Sequence, residues 1–283
     1  MSNRAAMSSR RDSPPRERVS FGLVASAAAL ALIVVAGVFA FVQMRGSDAS
    51  PAPSGQSASP PAVGPAGGAG FGAADVDLFG RRVDVPDNPA GQPLAQTPGT
   101  QKRPTDSDWL TAAPKGMDGP GGWQRVYGVS VPFSSSDGPA RIDGGLAVGY
   151  AHTPQGAALA AAQISYRMNA RPADRDLYAR QVGVAPQQLA QFDRLVSDNK
   201  LPAQQPEKVT RFLIASDAFQ VESYADDMAI VRLAARGPTV EGRQTWLATR
   251  LVTVWQDGDW KLKPVTGRPQ TETLTSLIGW TPW

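Results

Sequence analysis

Residues 243–256 read RQTWLATRLVTVWQ, and Asp257-Gly258 follows at once. Thr, Val, Leu and Trp suit a pleated, half-buried surface, so the stretch predicts one long strand. Asp-Gly is a strong signal for a two-residue hairpin turn, because both types tolerate the positive φ angles such a turn requires. The return, DWKLKPV at 259–265, sets Trp260 and Leu262 on one face and Lys261 and Lys263 on the other. The same period of two holds upstream. Phe219 and Val221 alternate with Gln220 and Glu222, and Ala229, Val231 and Leu233 alternate with Ile230, Arg232 and Ala234. ARGPTVEG, 235–242, supplies the turn that precedes the long strand. The region from 208 onward therefore predicts a four-strand antiparallel meander.

Ahead of the meander the period changes. In GYAHTPQGAALAAAQISYR (149–167), Thr153 is a good N-cap and Pro154 suits the first helical position. Ala157, Ala161, Ile164 and Met168 recur at helical spacing, and Ala158, Ala162 and Ser165 widen the stripe with small side chains. Pro172 opens a second helix to about 181. Pro186 opens a third to about 198, with Leu189, Phe192, Leu195 and Val196 on one side. GWQRVYGVSVPF, from Gly122, suggests a short strand around 124–131, followed by a polar loop. A long helix followed by a curved meander predicts an α+β fold for residues 123–283, a cone in which the sheet wraps the helix.

The rest of the chain reads differently. Residues 21–44, FGLVASAAALALIVVAGVFAFVQM, carry no charge, and a spanning helix needs about 20 such residues. Arg4, Arg10, Arg11, Arg16 and Arg18 precede the run and Arg45 alone follows it until Arg81, which places a basic tail, 1–20, in the cytoplasm and the C-terminal part outside. A cleaved signal peptide has a shorter apolar region of about 7–15 residues and a small-residue cleavage site, which GVFAFVQMRG lacks. The expectation is a single-pass signal anchor in the cell membrane, in contact with the bilayer through 21–44. Residues 45–122 read as a Pro/Gly-rich linker, disordered over GSDASPAPSGQSASPPAVGPAGGAG at 46–70. One island, 75–96, carries Val76, Leu78, Phe79, Val83 and Val85. It is either a sticky patch in the tether or a segment that docks on the domain or on a partner by adding an edge strand.

Charge and composition exclude several functions. The net charge of +3 divides as +4 over residues 1–45, −3 over 46–122 and +2 over 123–283, so the basicity belongs to the tail. No clustered basic face marks a nucleic-acid site, and no direct nucleic-acid partner is expected. The absence of cysteine rules out disulfides, thiolate metal sites and a cysteine nucleophile. A single histidine, His152, makes a metal centre a poor expectation. Gly144, Gly145 and Gly149 lack the strand–loop–helix setting of a phosphate cradle. SSSDG at 134–138 is not a nucleophile elbow. The reactive side chains at the cone's rim are Tyr150, His152, Asp143 and Tyr166, and a His152–Asp143 dyad is conceivable. A rim role without chemistry is the expectation, so no catalytic, cofactor-binding or metal residues are assigned. Phe79, Val83, Val85, Trp280 and Trp283 are the candidate partner contacts, and the last two serve either as a lid on the fold or as a contact surface.

The run VTVWQDGDWKLKPV (252–265) resembles the final hairpin of the nuclear transport factor 2-like superfamily, a resemblance covering about 150–266. LFGRRVDVPDNPAGQPL, VPFSSSDGPARIDGG and GYAHTPQGAALAAAQISYR, in that order, resemble membrane-anchored actinobacterial proteins associated with conjugative elements. The plan of one span, a linker and a fold of this kind is similar to TcpC-like and VirB-type assembly factors, although TcpC-like proteins tend to carry a second such domain. The resemblance implies a non-enzymatic scaffold or assembly subunit of a conjugative or secretion-type transfer system. Its partners would be other membrane or transfer-apparatus proteins, or further copies of itself. The alternative is an exported module that holds a small envelope ligand in the cone, lined by Phe219, Trp246 and Leu247, or else a lyase or isomerase of the same fold.

Overall fold

A computed structural model describes residues 70–213, 215–264 and 269–283. The basic tail, the expected membrane span and the first part of the expected linker lie outside these residues. The chain order is β1 (Asp75–Val76), β2 (Arg82–Val83), β3 (Trp123–Val126), β4 (Val129–Pro132), β5 (Arg141–Asp143), β6 (Leu146–Val148), α1 (Pro154–Ala170), α2 (Arg175–Gln181), α3 (Pro186–Ser197), α4 (Glu207–Thr210), β7 (Ala218–Tyr224), β8 (Met228–Val240), β9 (Arg243–Gln256), β10 (Asp259–Leu262), β11 (Thr271–Leu274) and β12 (Thr281–Pro282).

This architecture corrects the expected one. Strand exceeds helix, 33 % against 21 %, and the strands form four antiparallel sheets among the described residues rather than one curved sheet around a helix. The nuclear transport factor 2-like cone is therefore not the fold. No helix of the described residues is long and apolar enough to cross a membrane, and residues 21–44 are not among them. The extra hairpins have a shared local cause. Tyr127-Gly128, Gly144-Gly145, Glu241-Gly242 and Asp257-Gly258 each form a two-residue turn with both φ angles positive, from 50° to 87°. Such turns match the twist of the flanking strands. The Asp-Gly turn is plain in sequence. Tyr127-Gly128 and the Gly144-Gly145 pair are weaker signals, and they fold β3–β4 and β5–β6 into separate two-stranded sheets.

The large sheet has the order β10-β9-β8-β7-β12, with β11 on β9 beyond the end of β10. Directly opposed pairs put Ala229, Val231 and Leu233 on one face with Thr253, Leu251 and Thr249. That face takes α1, whose Ala157 to Ala162 are fully buried and which packs on β4, β7, β8, β9 and β10. Small side chains let the helix and sheet approach closely, and Leu159, Ile164, Phe219 and Trp260 fill the space around them.

The described part of the expected linker, 70–122, is packed on the body. Val83, Ala90, Ala112 and Met117 are buried, while Val76, Leu78, Val85 and Leu110 stay exposed. β1 and β2 form a short hairpin, and Asp84 then pairs in parallel with β3, donating its N–H to Trp123 O and accepting from Arg125 N. Most of 87–122 is irregular, so its backbone groups need partners outside any ladder. Long buried polar side chains supply them. Gln124 donates to Gln92 O and Gly121 O and accepts from Gln92 N. From α1, Gln155 reaches Trp109 O and Ala112 O, while Arg167 reaches Ala90 O at 2.7 Å and Gly145 O at 3.2 Å. The Asp84 carboxylate accepts from Gly121 N at 2.6 Å.

Candidate functional site

The approach to α1 is built by a buried polar loop from the SSSDG run, joined to the N-cap Thr153. Ser134, Ser136, Asp137 and Thr153 are all buried. The Asp137 carboxylate accepts from Ser136 Oγ at 2.5 Å and Thr153 Oγ1 at 2.6 Å, while Ser134 Oγ accepts from the backbone N–H groups of Ser136 and Asp137. Thr153 Oγ1 in turn caps Gly156 N at 2.9 Å. Burial raises the Asp137 pKa, and the two hydroxyl donors pull it back part of the way. His152 Nε2 bonds Asp226 O, and the loop holds the helix start through Thr153.

His152 sits just before that cap and is exposed. Its ring stacks on Trp255 at 4.0 Å with 12° between planes and lies 5.5 Å from Trp260. Nε2–H donates to Asp226 O at 2.5 Å, and the His152 carbonyl accepts from Tyr224 OH at 3.1 Å. Trp109 packs edge-on against Tyr224, so five aromatic rings form a continuous cluster around the start of α1. Tyr224 is pushed up to about 12, chiefly by burial and then by Asp226.

The other three rim candidates lie elsewhere. Tyr150 is buried and its hydroxyl has no hydrogen-bond partner. Burial holds its pKa far above the usual tyrosine range. Asp143 is on the surface in an ion pair with Arg180 at 2.5 Å, so the His152–Asp143 dyad does not form. Tyr166 donates its hydroxyl to Ser216 Oγ and accepts from Ser216 N, and burial raises its pKa. The four therefore share no common site. Among the described residues, no group of three or more His, Cys, Asp or Glu side chains is able to hold a metal ion.

The candidate contact residues divide. Val83 is buried in the body and Val85 is exposed. Phe79 lies under the Arg236 guanidinium, 4.7 Å from ring centroid to Cζ. Trp280 carries Arg232 at 5.0 Å. Trp283 packs on Phe219 at 4.4 Å and edge-on to Trp123, and its Nε1–H donates to Ser216 Oγ at 2.8 Å. α1 lies across the inner face of the sheet, and Trp283 covers Phe219.

Two charged constellations escaped the sequence reading because their members are far apart in the chain. Asp217 accepts from Arg81 Nη2, Arg236 Nε and Trp246 Nε1, tying the 70–86 hairpin to the large sheet. On the outer face of the sheet, Arg232 and Arg250 are directly opposed. Arg232 pairs with Glu272 and Arg250 with Glu222, framing an open groove of about 530 Å³ floored by Ala248.

A family described as "Domain of unknown function (DUF8175)" matches residues 84–282. No curated protein and no solved structure matches significantly. The match begins at Asp84, whose backbone pairs with β3, and ends at Pro282 in β12, so it takes in Gln124, Gln155 and Arg167 with the backbone groups they hold and the whole large sheet. The chain belongs to the DUF8175 family.

Proposed function

We propose that this protein is a non-enzymatic, membrane-anchored scaffold or assembly subunit of a conjugative or secretion-type transfer system, with its folded body outside the membrane. The observation that carries the non-enzymatic reading is the spread of the candidate reactive groups. His152 is stacked on Trp255, Asp143 is paired with Arg180, Tyr166 is bonded to Ser216, and Tyr150 is buried with no hydrogen-bond partner on its hydroxyl. General acid–base work needs such groups to converge on one reacting atom. The anchored reading is supported by the uncharged run 21–44 with its five preceding arginines. The scaffold role rests on the resemblance of residues 78–94, 131–145 and 149–167 to membrane-anchored proteins associated with conjugative elements, and on the expected plan of one span followed by a linker.

The lack of native cysteine makes the topology directly testable. A Met228→Cys variant of the full chain, at an exposed position, is treated in intact cells with a membrane-impermeant maleimide. Labelling without permeabilisation is expected. Labelling only after permeabilisation would overturn the exported reading.

A further inference from the structure

The large sheet ends on three outer strands, β12, β10 and β11. Two of these edges are closed. β12 is two residues long, Pro282 has no N–H to offer, and Thr281 Oγ1 is bonded to Thr111 O. β10 is bridged in parallel by Val182, and Gly183 N–H donates to Leu262 O. β11 has no strand beyond it among the described residues, and Thr271, Glu272 and Thr273 are exposed. Natural proteins guard an open edge with proline, lysine or a bulge. TETL, 271–274, carries none of the three.

The register decides which backbone groups are free. Extending it by one residue sets Gln270 opposite Arg250, and Gln270 O accepts from Arg250 N. Bonded and non-bonded pairs alternate along an antiparallel ladder. Residues 270, 272 and 274 therefore turn their backbone groups to β9. Thr271 and Thr273 turn their N–H and C=O groups outwards.

We propose that this edge pairs antiparallel with the same edge of a second copy of the chain, joining two large sheets about a two-fold axis through Thr273. An axis normal to the sheet keeps every side chain on its own face, so it must pass through a residue. Centring on Glu272 sets two glutamates directly opposite, which is unfavourable. Centring on Thr271 pairs Thr273 with Pro269, which has no N–H. Centring on Leu274 puts every bonded pair on a residue past the end of β11. Centring on Thr273 pairs Thr273 with its own copy, Thr271 with Thr275 and Glu272 with Leu274. The run Thr271-Glu272-Thr273-Leu274-Thr275 is symmetric in its threonines about that centre, and threonine pairs across strands are favourable. Each Glu272 keeps its own Arg232. The inference goes beyond the scaffold reading, since it concerns the described body and needs neither membrane nor transfer system.

The chain has no native cysteine, so single substitutions report the register. Across a bonded antiparallel pair the Cα atoms lie about 5.5 Å apart, within the roughly 4.4–6.8 Å that a disulfide spans. Thr271 would lie four residues, about 13 Å, from its own copy. Met228 pairs with Val254, away from β11, and controls for random collision. The full chain in mild detergent is oxidised gently as Thr273→Cys, Thr271→Cys or Met228→Cys. A disulfide-linked species of twice the mass is expected at 273, with no more linkage at 271 than at 228. Thr273→Pro removes an outward N–H and leaves the ladder to β9 intact, so it should convert dimer to monomer in sedimentation while still unfolding cooperatively. Stronger linkage at 271 than at 273, equal linkage at all three positions, or a Thr273→Pro chain that stays dimeric would overturn the pairing. Linkage of position 273 to a different protein would replace the second copy by a foreign strand. The anchored reading stands or falls separately, by the labelling of Met228→Cys in intact cells.

Discussion

Replacing Arg167 by methionine tests whether the irregular segment before residue 122 belongs to the folded body. The guanidinium is buried and makes three hydrogen bonds, all to neutral oxygens: Gln163 Oε1, Gly145 O and Ala90 O. A buried acceptor stripped of its donor costs about 1–3 kcal/mol. Gly145 O retains Tyr127 OH at 3.5 Å, so Ala90 O bears most of the loss. A relief works in the other direction, because burial lowers the Arg167 pKa and an apolar replacement removes that desolvation cost. The net expectation is a loss of about 2 kcal/mol, which for a body of this size lowers Tm by about 4–8 °C. The assay is calorimetry combined with hydrogen exchange. The Gly91 N–H, bonded to Asn88 O, and the Gln92 N–H, bonded to Gln124 Oε1, should lose protection before the β8–β9 amides do. An unchanged or raised Tm, or a loss of protection confined to the sheet, would refute the idea that Arg167 holds residues 84–92 in place.

Asp137 makes stability fall with rising pH. Its folded pKa lies above the ordinary value, so the folded state binds the proton more tightly. The resulting stabilisation is complete below the unfolded pKa near ~4 and is lost as pH rises through the folded value. Urea unfolding across that window should show the decline, and Asp137→Asn should flatten it. His152→Phe keeps the stack on Trp255 and loses only the bond to Asp226 O, so it should cost about 1 kcal/mol and leave the proposed scaffold function intact. Loss of function with an unchanged melting curve would return His152 to a chemical role. Asp217→Ala removes one acceptor from three donors, should cost about 2–3 kcal/mol, and should free the 77–81 turn first in limited proteolysis.

The parts of the fold legible in sequence were those governed by near neighbours. Thr153 and Pro154 begin α1 through a local cap, and Asp257-Gly258 sets Trp255 opposite Trp260 through local φ preferences. What was illegible depends on distant partners. The segment 70–122 shows no period because it is ordered by Gln155, Arg167 and Gln124 reaching its backbone, and those side chains read in sequence as ordinary helical or strand polar residues. The cone failed for a related reason: the hairpins at 123–148 are too short to show a period of two. His152 was legible as the residue before a cap. Its place against Trp255 and Asp226 was not, because both lie more than 70 residues away.

The central claim is that the protein acts through contacts with other subunits, and solubilisation of the full chain from its native membrane in mild detergent tests it most directly. The account predicts that it sediments as part of a larger assembly with other membrane proteins, in proportions that persist through a second purification step. Recovery of the chain alone, as a monomer, from cells in which the transfer system is expressed would contradict it.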